Sequence, residues 1–165
     1  MGKKLVVDSS VLIILSRRGA LEAYLTRRKG EGYEVLVPRA IVRELLVEPK
    51  RYAEGIKVKY PELASKIMQS VGRVNGAIQQ GLIGVETVNY REYSKIMDNV
   101  RKRLSRLDAK PEHAVKKGDP ELIILVIQLY DKFKEKIFVS TKDKSLIKIL
   151  KLFSRRVEYG ILNGP

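Results

Sequence analysis

Several acidic residues stand where a parallel α/β sheet usually forms its sites. Asp8 directly follows an apolar run at residues 4–7, and Asp143 comes shortly after another at 137–139. The carboxyl ends of parallel strands lie at one edge of a sheet, and sites form there, so these two carboxylates are expected to converge. Three further acids lie at or near the starts of predicted helices: Glu44, Asp119 and Glu121.

Clustered carboxylates repel one another, and their pKa values rise on burial unless a cation neutralises them. Oxygen-only ligands suit Mg²⁺ or Mn²⁺, which can activate water and stabilise the leaving oxygen of a phosphodiester. Each acid also has a purely structural interpretation. Asp8, Asp119 and Asp143 could each cap a helix, and Glu44 alone could be a solvated helix residue.

Composition limits the alternatives. The 165 residues contain 33 Lys and Arg against 19 Asp and Glu, a net charge of +14, which favours a polyanionic partner over the alternative of a lysine-rich surface. The chain has no cysteine and one histidine, His113. Thiol nucleophiles, Cys-based zinc sites and mechanisms that need two imidazoles are therefore excluded. An apolar content of 44% is enough for a core.

The elements that must place these acids alternate between strand and helix. Strands are predicted at 4–7, 33–37, 82–88 and 137–139, with a weak last strand at 157–162. Helices are predicted from about 9, capped by Ser9 and Ser10, to 19; at 20–28; from Pro38 to Pro49; at 50–81; at 91–107; from about 119; and at 145–152. We therefore expect a three-layer α/β sandwich with a mainly parallel central sheet, formed by one domain spanning 1–165 with an enlarged helical middle at about 50–110.

The chain shows no pattern typical of a membrane protein. The longest apolar stretch covers nine residues, 122–130, against the roughly eighteen needed for a membrane span, and Asp8 interrupts the N-terminus too early for a signal peptide. We expect a cytoplasmic protein without membrane contact. The abundance of Lys, Arg, Glu, Ile, Val and Leu without Cys or Trp is also typical of a thermophile.

Four short motifs resemble, in order, those of the PIN-domain (PilT N-terminal) ribonuclease family. The apolar start with Asp8-Ser9-Ser10 is similar to the family's first motif, and Pro38 to Leu45 resembles the Pro-started helix that carries the second acid. Gly118-Asp119-Pro120-Glu121 lies where the third acid is expected. Ser140-Thr141-Lys142-Asp143 resembles the closing Thr-x-Asp-Lys motif. The resemblance covers the whole chain and implies a PIN-like fold.

Carried over by residue, the resemblance implies a metal-dependent endoribonuclease whose acids bind Mg²⁺ or Mn²⁺. The implied ligands are Asp8, Glu44, Asp119 and Asp143, with Glu121 as the substitute for Asp119. Thr141 would support the site by a hydrogen bond, and Ser10 could do the same. The family also suggests a homodimer, and an antitoxin or a ribonucleoprotein as protein partner; a toxin and an RNA-processing enzyme both remain open.

A basic segment of the chain is the predicted RNA-binding region. Residues 91–117 hold nine basic and four acidic residues, and the cluster Arg101, Lys102, Arg103 and Arg106 covers more than one face of its helix. This cluster and Lys142 are the predicted RNA-binding residues, with a solvated helix as the alternative. Tyr90 and Tyr93 could stack on bases or be partly buried. A non-catalytic RNA-binding or ribonucleoprotein assembly factor is the alternative function.

Overall fold

The computed structural model describes residues 2–162 as a three-layer α/β fold. Its strands are β1 (Lys3–Val7), β2 (Tyr33–Pro38), β3 (Gly84–Glu86), β4 (Ile137–Ser140) and β5 (Tyr159–Ile161). All neighbouring strands pair in parallel in the order β3-β2-β1-β4-β5. The predicted α/β fold with a parallel sheet is therefore confirmed, and the strand order changes direction between β1 and β4.

Helices cover the sheet in two groups. The first includes α1 (Ser9–Arg17), α2 (Leu21–Gly30) and α5 (Pro61–Gln79), which contact one another. The second is formed by α6 (Ser94–Leu107), α7 (Gly118–Phe133) and α8 (Lys144–Leu152), which also contact one another. Because residues 122–127 of α7 are all at most 1% exposed, α7 is apolar around its circumference and lies in the core between the sheet and α6.

The helix after β2 does not end at Pro49, as the sequence predicted. It begins as α3 (Arg39–Val42), continues through a π-helical turn (Arg43–Val47) and ends with α4 (Glu48–Ile56). Proline lacks an N–H and its ring clashes with the preceding turn of a regular α-helix. The wider turn, in which the Glu48 N–H donates to the Arg43 carbonyl, lets the helix pass through the proline.

The predicted helix over 50–81 is also interrupted, at residues 57–60. Pro61 disfavours helical backbone at Tyr60, which adopts φ −131° and ψ 68°. The helices α4 and α5 then pack as a hairpin with its own small core of Ala53, Ala64 and Ile67. This hairpin forms much of the enlarged middle region.

Several predicted boundaries move by a few residues. Strand β3 covers only Gly84–Glu86 rather than 82–88, because the Gln128 amide bonds to the Asn89 N–H and the Thr87 carbonyl, which draws the chain off the sheet. The last strand covers Tyr159–Ile161 rather than 157–162, and hydrogen bonds join Glu158 and Leu162 to the neighbouring β4. Helix α6 begins at Ser94, after a turn in which Asn89 Oδ1 accepts the Glu92 N–H.

Burial of α7 should dominate stability. We expect Leu125→Ala to lower the free energy of unfolding by about 2 to 5 kcal/mol, because it removes buried methyl groups and leaves a cavity. Leu152→Ala, at a leucine that is 56% exposed, is the matched control and should change it by less than about 1 kcal/mol. Urea unfolding measures both, and equal losses would contradict the assigned core.

Candidate metal centre

The acidic edge, defined here as Asp8, Glu44, Asp119 and Asp143, lies where the strand order reverses. Asp8 ends β1, and its N–H donates to the Ser140 carbonyl at the end of β4 (2.9 Å). Asp143 follows β4 at the start of α8. In an open parallel sheet this crevice between neighbouring strands is where ligands bind, so the fold places the acids at the expected edge.

Hydroxyl groups orient Asp8. Thr141 Oγ1 donates to Asp8 Oδ2 at 2.9 Å, and Ser10 Oγ donates to the same oxygen at 3.1 Å. Asp8 stands at the capping position of α1, but its carboxylate does not accept the capping hydrogen bond from the backbone of the first turn. The interpretation of Asp8 as a helix cap is therefore wrong, and so is the expectation that Ser9 and Ser10 cap α1, because both hydroxyls donate to acids instead.

Glu44 reaches the edge from the π-helical turn. Ser9 Oγ donates to Glu44 Oε2 at 2.8 Å, whereas the buried Oε1 has no hydrogen-bond partner. Its carboxylate lies directly over Gly118, where an added Cβ would overlap Oε1 and come within 2.9 Å of Cδ. Glycine at the start of α7 therefore gives Glu44 room to enter the edge, and Glu44 is not a solvated helix residue.

The two carboxylate oxygens of Asp143 have different surroundings. Its Oδ1 accepts the N–H groups of Ser145 (2.8 Å) and Leu146 (3.3 Å), so it caps α8 as one interpretation of the sequence held. Its own N–H donates to Thr141 Oγ1 at 3.0 Å. The cap uses one oxygen and fixes the carboxylate beside Thr141, which leaves Oδ2 available at the edge.

The charges of the four acids affect one another. Burial raises the pKa of Asp8; the hydrogen bonds from Thr141 and Ser10 lower it, and the charge of Asp143 raises it to a smaller extent. Burial also raises the pKa of Glu44, with a further contribution from Asp8. Burial together with the charges of Asp8, Glu44 and Asp143 raises the pKa of Asp119 to about 7. Asp119 therefore senses all three of its partners.

Glu121 makes its hydrogen bonds outside the acidic edge. It is 4% exposed, its Oε1 accepts the Ala40 N–H at 3.4 Å, and its Oε2 accepts the Tyr90 hydroxyl. None of the edge acids takes part in these hydrogen bonds. Of the two candidates for the third acid, Asp119 is the one whose pKa is raised by the charges of Asp8, Glu44 and Asp143, which favours it over Glu121.

Basic residues surround the edge, but they are only partly those predicted. The charges of Lys110 and Lys116 lower the pKa values of Asp119 and Glu44 respectively, so both lysines lie near the acids. Lys142 is exposed between Thr141 and Asp143. The sequence contained the two other lysines within a basic segment, but nothing local distinguished them from their neighbours, because a loop brings them to the edge.

The basic cluster on α6 divides between two places. Arg101 lies near Tyr90, whose pKa its charge lowers, and therefore on the side of the acids. Arg103 instead donates to Asn99 and lines a cavity with Phe153, at the far end of α8 from Asp143. Lys102 is exposed and pairs with Asp98 at 3.1 Å, and Arg106 is exposed. Arg103 therefore lies apart from Arg101, and the role of these four residues in RNA binding stays a prediction.

His113 and Tyr93 take no part in the edge. His113 is exposed in a short 3₁₀ turn, Glu112–Ala114. Tyr93 is 3% exposed, and its hydroxyl donates to Asp131 at 2.7 Å, so it is a buried structural residue and not a stacking platform. Tyr90, by contrast, is 48% exposed.

The residues present fit a hard divalent cation. All side chains at the edge offer oxygen, Glu44 Oε1 is buried without a partner, and burial and mutual repulsion keep the pKa values of three acids high. Within residues 2–162, however, no three acidic or histidine side chains stand close enough together to form a complete metal site as they are placed. A cation would offset the repulsion that separates them.

A parallel α/β fold whose carboxyl edge gathers four acids in a basic protein is the arrangement expected of a nuclease-type domain. A family model described as the Halobacterial PIN domain matches residues 1–152, and the chain belongs to the PIN-domain family. PIN domains are in general nucleases that use divalent metal ions.

Similarity to other known proteins is low. A solved structure described as a domain of a functionally unknown protein from Methanocaldococcus jannaschii DSM 2661 is 18% identical, with a TM-score of 0.46, and the match covers 99% of this chain and 93% of that chain. No curated protein matches the sequence. In the described part of the chain, no helix has both the length and the apolar character to cross a bilayer.

Loss of the Asp119 charge should change how stability depends on pH. The pKa of Asp119 is 3.8 in the unfolded chain and about 7 in the folded protein. Asp119 therefore contributes stability that is fully present below about pH 4 and is lost as the pH rises through 7. In chelator at pH 8 we expect Asp119→Asn to be more stable than wild type by about 1 to 2 kcal/mol, after allowing for solvent screening.

Urea unfolding between pH 4.5 and 8 measures this difference. The exposed Asp98→Asn variant is the control and should follow the wild-type curve. Parallel curves for wild type and Asp119→Asn would show that the Asp119 carboxylate is not crowded by the other acids.

Proposed function

We propose that the protein is a Mg²⁺- or Mn²⁺-dependent endoribonuclease that hydrolyses RNA phosphodiesters with activated water. The observation that carries this proposal is the convergence of four acids, from four separate segments of the chain, on one edge of the sheet. The raised pKa of Asp119 under the combined influence of Asp8, Glu44 and Asp143 supports it. The PIN-domain family supplies the general nuclease activity, and the chemistry of the edge argues for the metal.

Asp8, Glu44, Asp119 and Asp143 would hold the cation through their oxygens. When bound, a divalent cation polarises the phosphodiester and makes a water molecule acidic enough to act as nucleophile. Thr141 and Ser10 hold Asp8 in one orientation, and Ser9 holds Glu44. These hydroxyls position the acids before substrate arrives, which is a requirement of a site that must bind in a defined geometry.

The positive charge of the chain argues for RNA as the substrate. Lys110 and Lys116 stand beside the acids, and Lys142 is exposed within the loop that carries Thr141 and Asp143. Cations around an acidic centre hold phosphates that the centre itself would repel. Arg101, Lys102 and Arg106 on α6 would extend this surface along a bound strand.

An RNA-binding or ribonucleoprotein assembly factor without catalysis is the other function considered. Such a protein would have no need to keep four acids together, because burial makes each of them costly. All four are present, and three of them are oriented by hydrogen bonds. The arrangement therefore favours the enzyme.

Replacing Asp8 should stop cleavage. We expect Asp8→Asn to reduce the rate of RNA cleavage in Mn²⁺ or Mg²⁺ by about 100-fold or more, because it removes a charged ligand at the most buried position of the edge. RNA binding in chelator should stay within about twofold of wild type. A time course on mixed structured and unstructured RNA, with each metal or with chelator, measures the rates.

Glu22→Gln is the matched control, since Glu22 is an exposed carboxylate on α2, outside the acidic edge and the predicted RNA-binding residues. It should cleave at the wild-type rate. Cleavage by Asp8→Asn at the wild-type rate would contradict the assignment of the acidic edge as the metal site. If no form of the protein cleaves RNA but all bind it in a salt-sensitive way, the result would favour the RNA-binding or assembly factor.

Removing the two lysines beside the acids should weaken RNA binding and its dependence on salt. For single-stranded RNA we expect the slope of log K against log salt to fall by about 0.7 for each phosphate that is no longer neutralised, or about 1.4 for Lys110→Ala combined with Lys116→Ala. Lys29→Ala, at an exposed lysine near the opposite end of the sheet, should leave the slope unchanged. Fluorescence anisotropy at several salt concentrations measures it; an unchanged slope in the double variant would remove these lysines from the RNA surface.

A further inference from the structure

A cleft of about 400 Å³, here called the Tyr90 cleft, opens beside the acidic edge. Its walls come from α3 and the π-helical turn, from residues 87–90 after β3, and from the start of α7 with the two residues before it. Glu44 lines the cleft and is also one of the four acids of the edge. A molecule in the cleft would therefore lie directly against the proposed catalytic centre, and the volume is within the range of small-ligand pockets.

Four basic residues line the cleft, together with the acidic Glu44, Glu48 and Glu121. Arg39 and Arg43 stand one helical turn apart in the helix after β2, and Lys116 and Lys117 lie in the segment just before α7. All four are exposed, so their charges remain hydrated and available to an incoming anion. Basic side chains from two separate segments, next to the proposed phosphodiester-cleaving site, favour a nucleotide whose phosphates they would hold.

Tyr90 supplies a flat surface at the cleft. Its ring is about half exposed, and its hydroxyl donates to the buried carboxylate of Glu121, which fixes the orientation of the ring. The Arg101 guanidinium lies close enough to influence the same tyrosine electrostatically. An anchored and exposed aromatic ring is the kind of platform on which a single-stranded base stacks.

Glu121 supplies hydrogen-bond acceptors on a wall of the cleft. A carboxylate offers about four lone-pair sites. In Glu121 one accepts the Tyr90 hydroxyl and another accepts the Ala40 N–H over a long 3.4 Å, which leaves two. Two neighbouring N–H donors would satisfy them. Guanine presents such a pair, its N1–H and its N2 amino group, whereas adenine, cytosine and uracil do not present two donors side by side.

We propose that the Tyr90 cleft binds the nucleotide next to the scissile phosphate and selects guanine, with Tyr90 stacking on the base and Glu121 accepting its two N–H donors. The proposal rests on the proposed nuclease function and gives it a sequence preference. It also explains why an acid at the start of α7 is buried against Tyr90 instead of joining the other four.

Binding tests the cleft without catalysis. In chelator, wild type should bind a short unstructured RNA with one central guanine at least about fivefold more tightly than the same RNA with adenine there, as measured by fluorescence anisotropy. Glu121→Gln should lose this preference, because the amide replaces one acceptor by a donor. A residue with only a structural role would instead weaken both RNAs equally.

Two variants of Tyr90 distinguish stacking from hydrogen bonding. They also test the proposal if Glu121→Gln fails to fold. Tyr90→Ala should weaken binding of the guanine RNA by about fivefold or more, whereas Tyr90→Phe, which keeps the ring but loses its hydrogen bond to Glu121, should weaken it less. Tyr60→Ala is the matched control, at a tyrosine that is 52% exposed and does not line the cleft. Equal binding by Tyr90→Ala and Tyr60→Ala would overturn the stacking role.

Cleavage of a randomised RNA pool in Mn²⁺ tests the place of the cleft in the reaction. Wild type should enrich guanine on one side of the cleaved bond, and Glu121→Gln should still cut but without that enrichment. Cutting with no base preference by wild type, or the same preference in Glu121→Gln, would overturn the proposal. Guanine-selective binding without metal-dependent cutting would support the cleft and contradict the nuclease function instead.

Discussion

Electrostatic repulsion among four carboxylates is the constraint on which the rest of this structure depends. Each acid is drawn from a different segment, and burial together with the charges of the other three raises the pKa of Asp119 to about 7. Such a cluster persists only because the surrounding fold is stable enough to hold it. The buried helix α7 and the continuous β1–β4 pairing, which extends to the Asp8 N–H, provide that stability.

The same constraint accounts for local features that look unrelated. The π-helical turn carries Glu44 inward, and Gly118 has no side chain to obstruct it. Thr141 holds both the carboxylate of Asp8 and the backbone of Asp143, so a single hydroxyl couples the ends of β1 and β4. Irregular backbone and small residues are thus concentrated at the edge, where regular geometry would leave the acids apart.

Sequence reasoning recovered what depends on local pattern. Short apolar runs predicted the strands, and the position of an acid at the end of two of them predicted the convergence of Asp8 and Asp143. It failed at Pro49, where a π-helical turn overrides the usual effect of proline. It could not separate Asp119 from Glu121, because their two environments arise from elements distant in sequence.

If the proposed function holds, the division between Asp119 and Glu121 would link catalysis to recognition. Asp119 and Glu121 lie two residues apart on α7. The charges of Asp8 and Asp143 act on Asp119 at the acidic edge, whereas Glu121 accepts the Tyr90 hydroxyl at the Tyr90 cleft. Glu44 borders both. A rigid, buried helix would then keep a base in the Tyr90 cleft at a constant distance from the acids. Helix α7 would then position both the selected base and the acids that cleave the adjacent bond, without any conformational change between them.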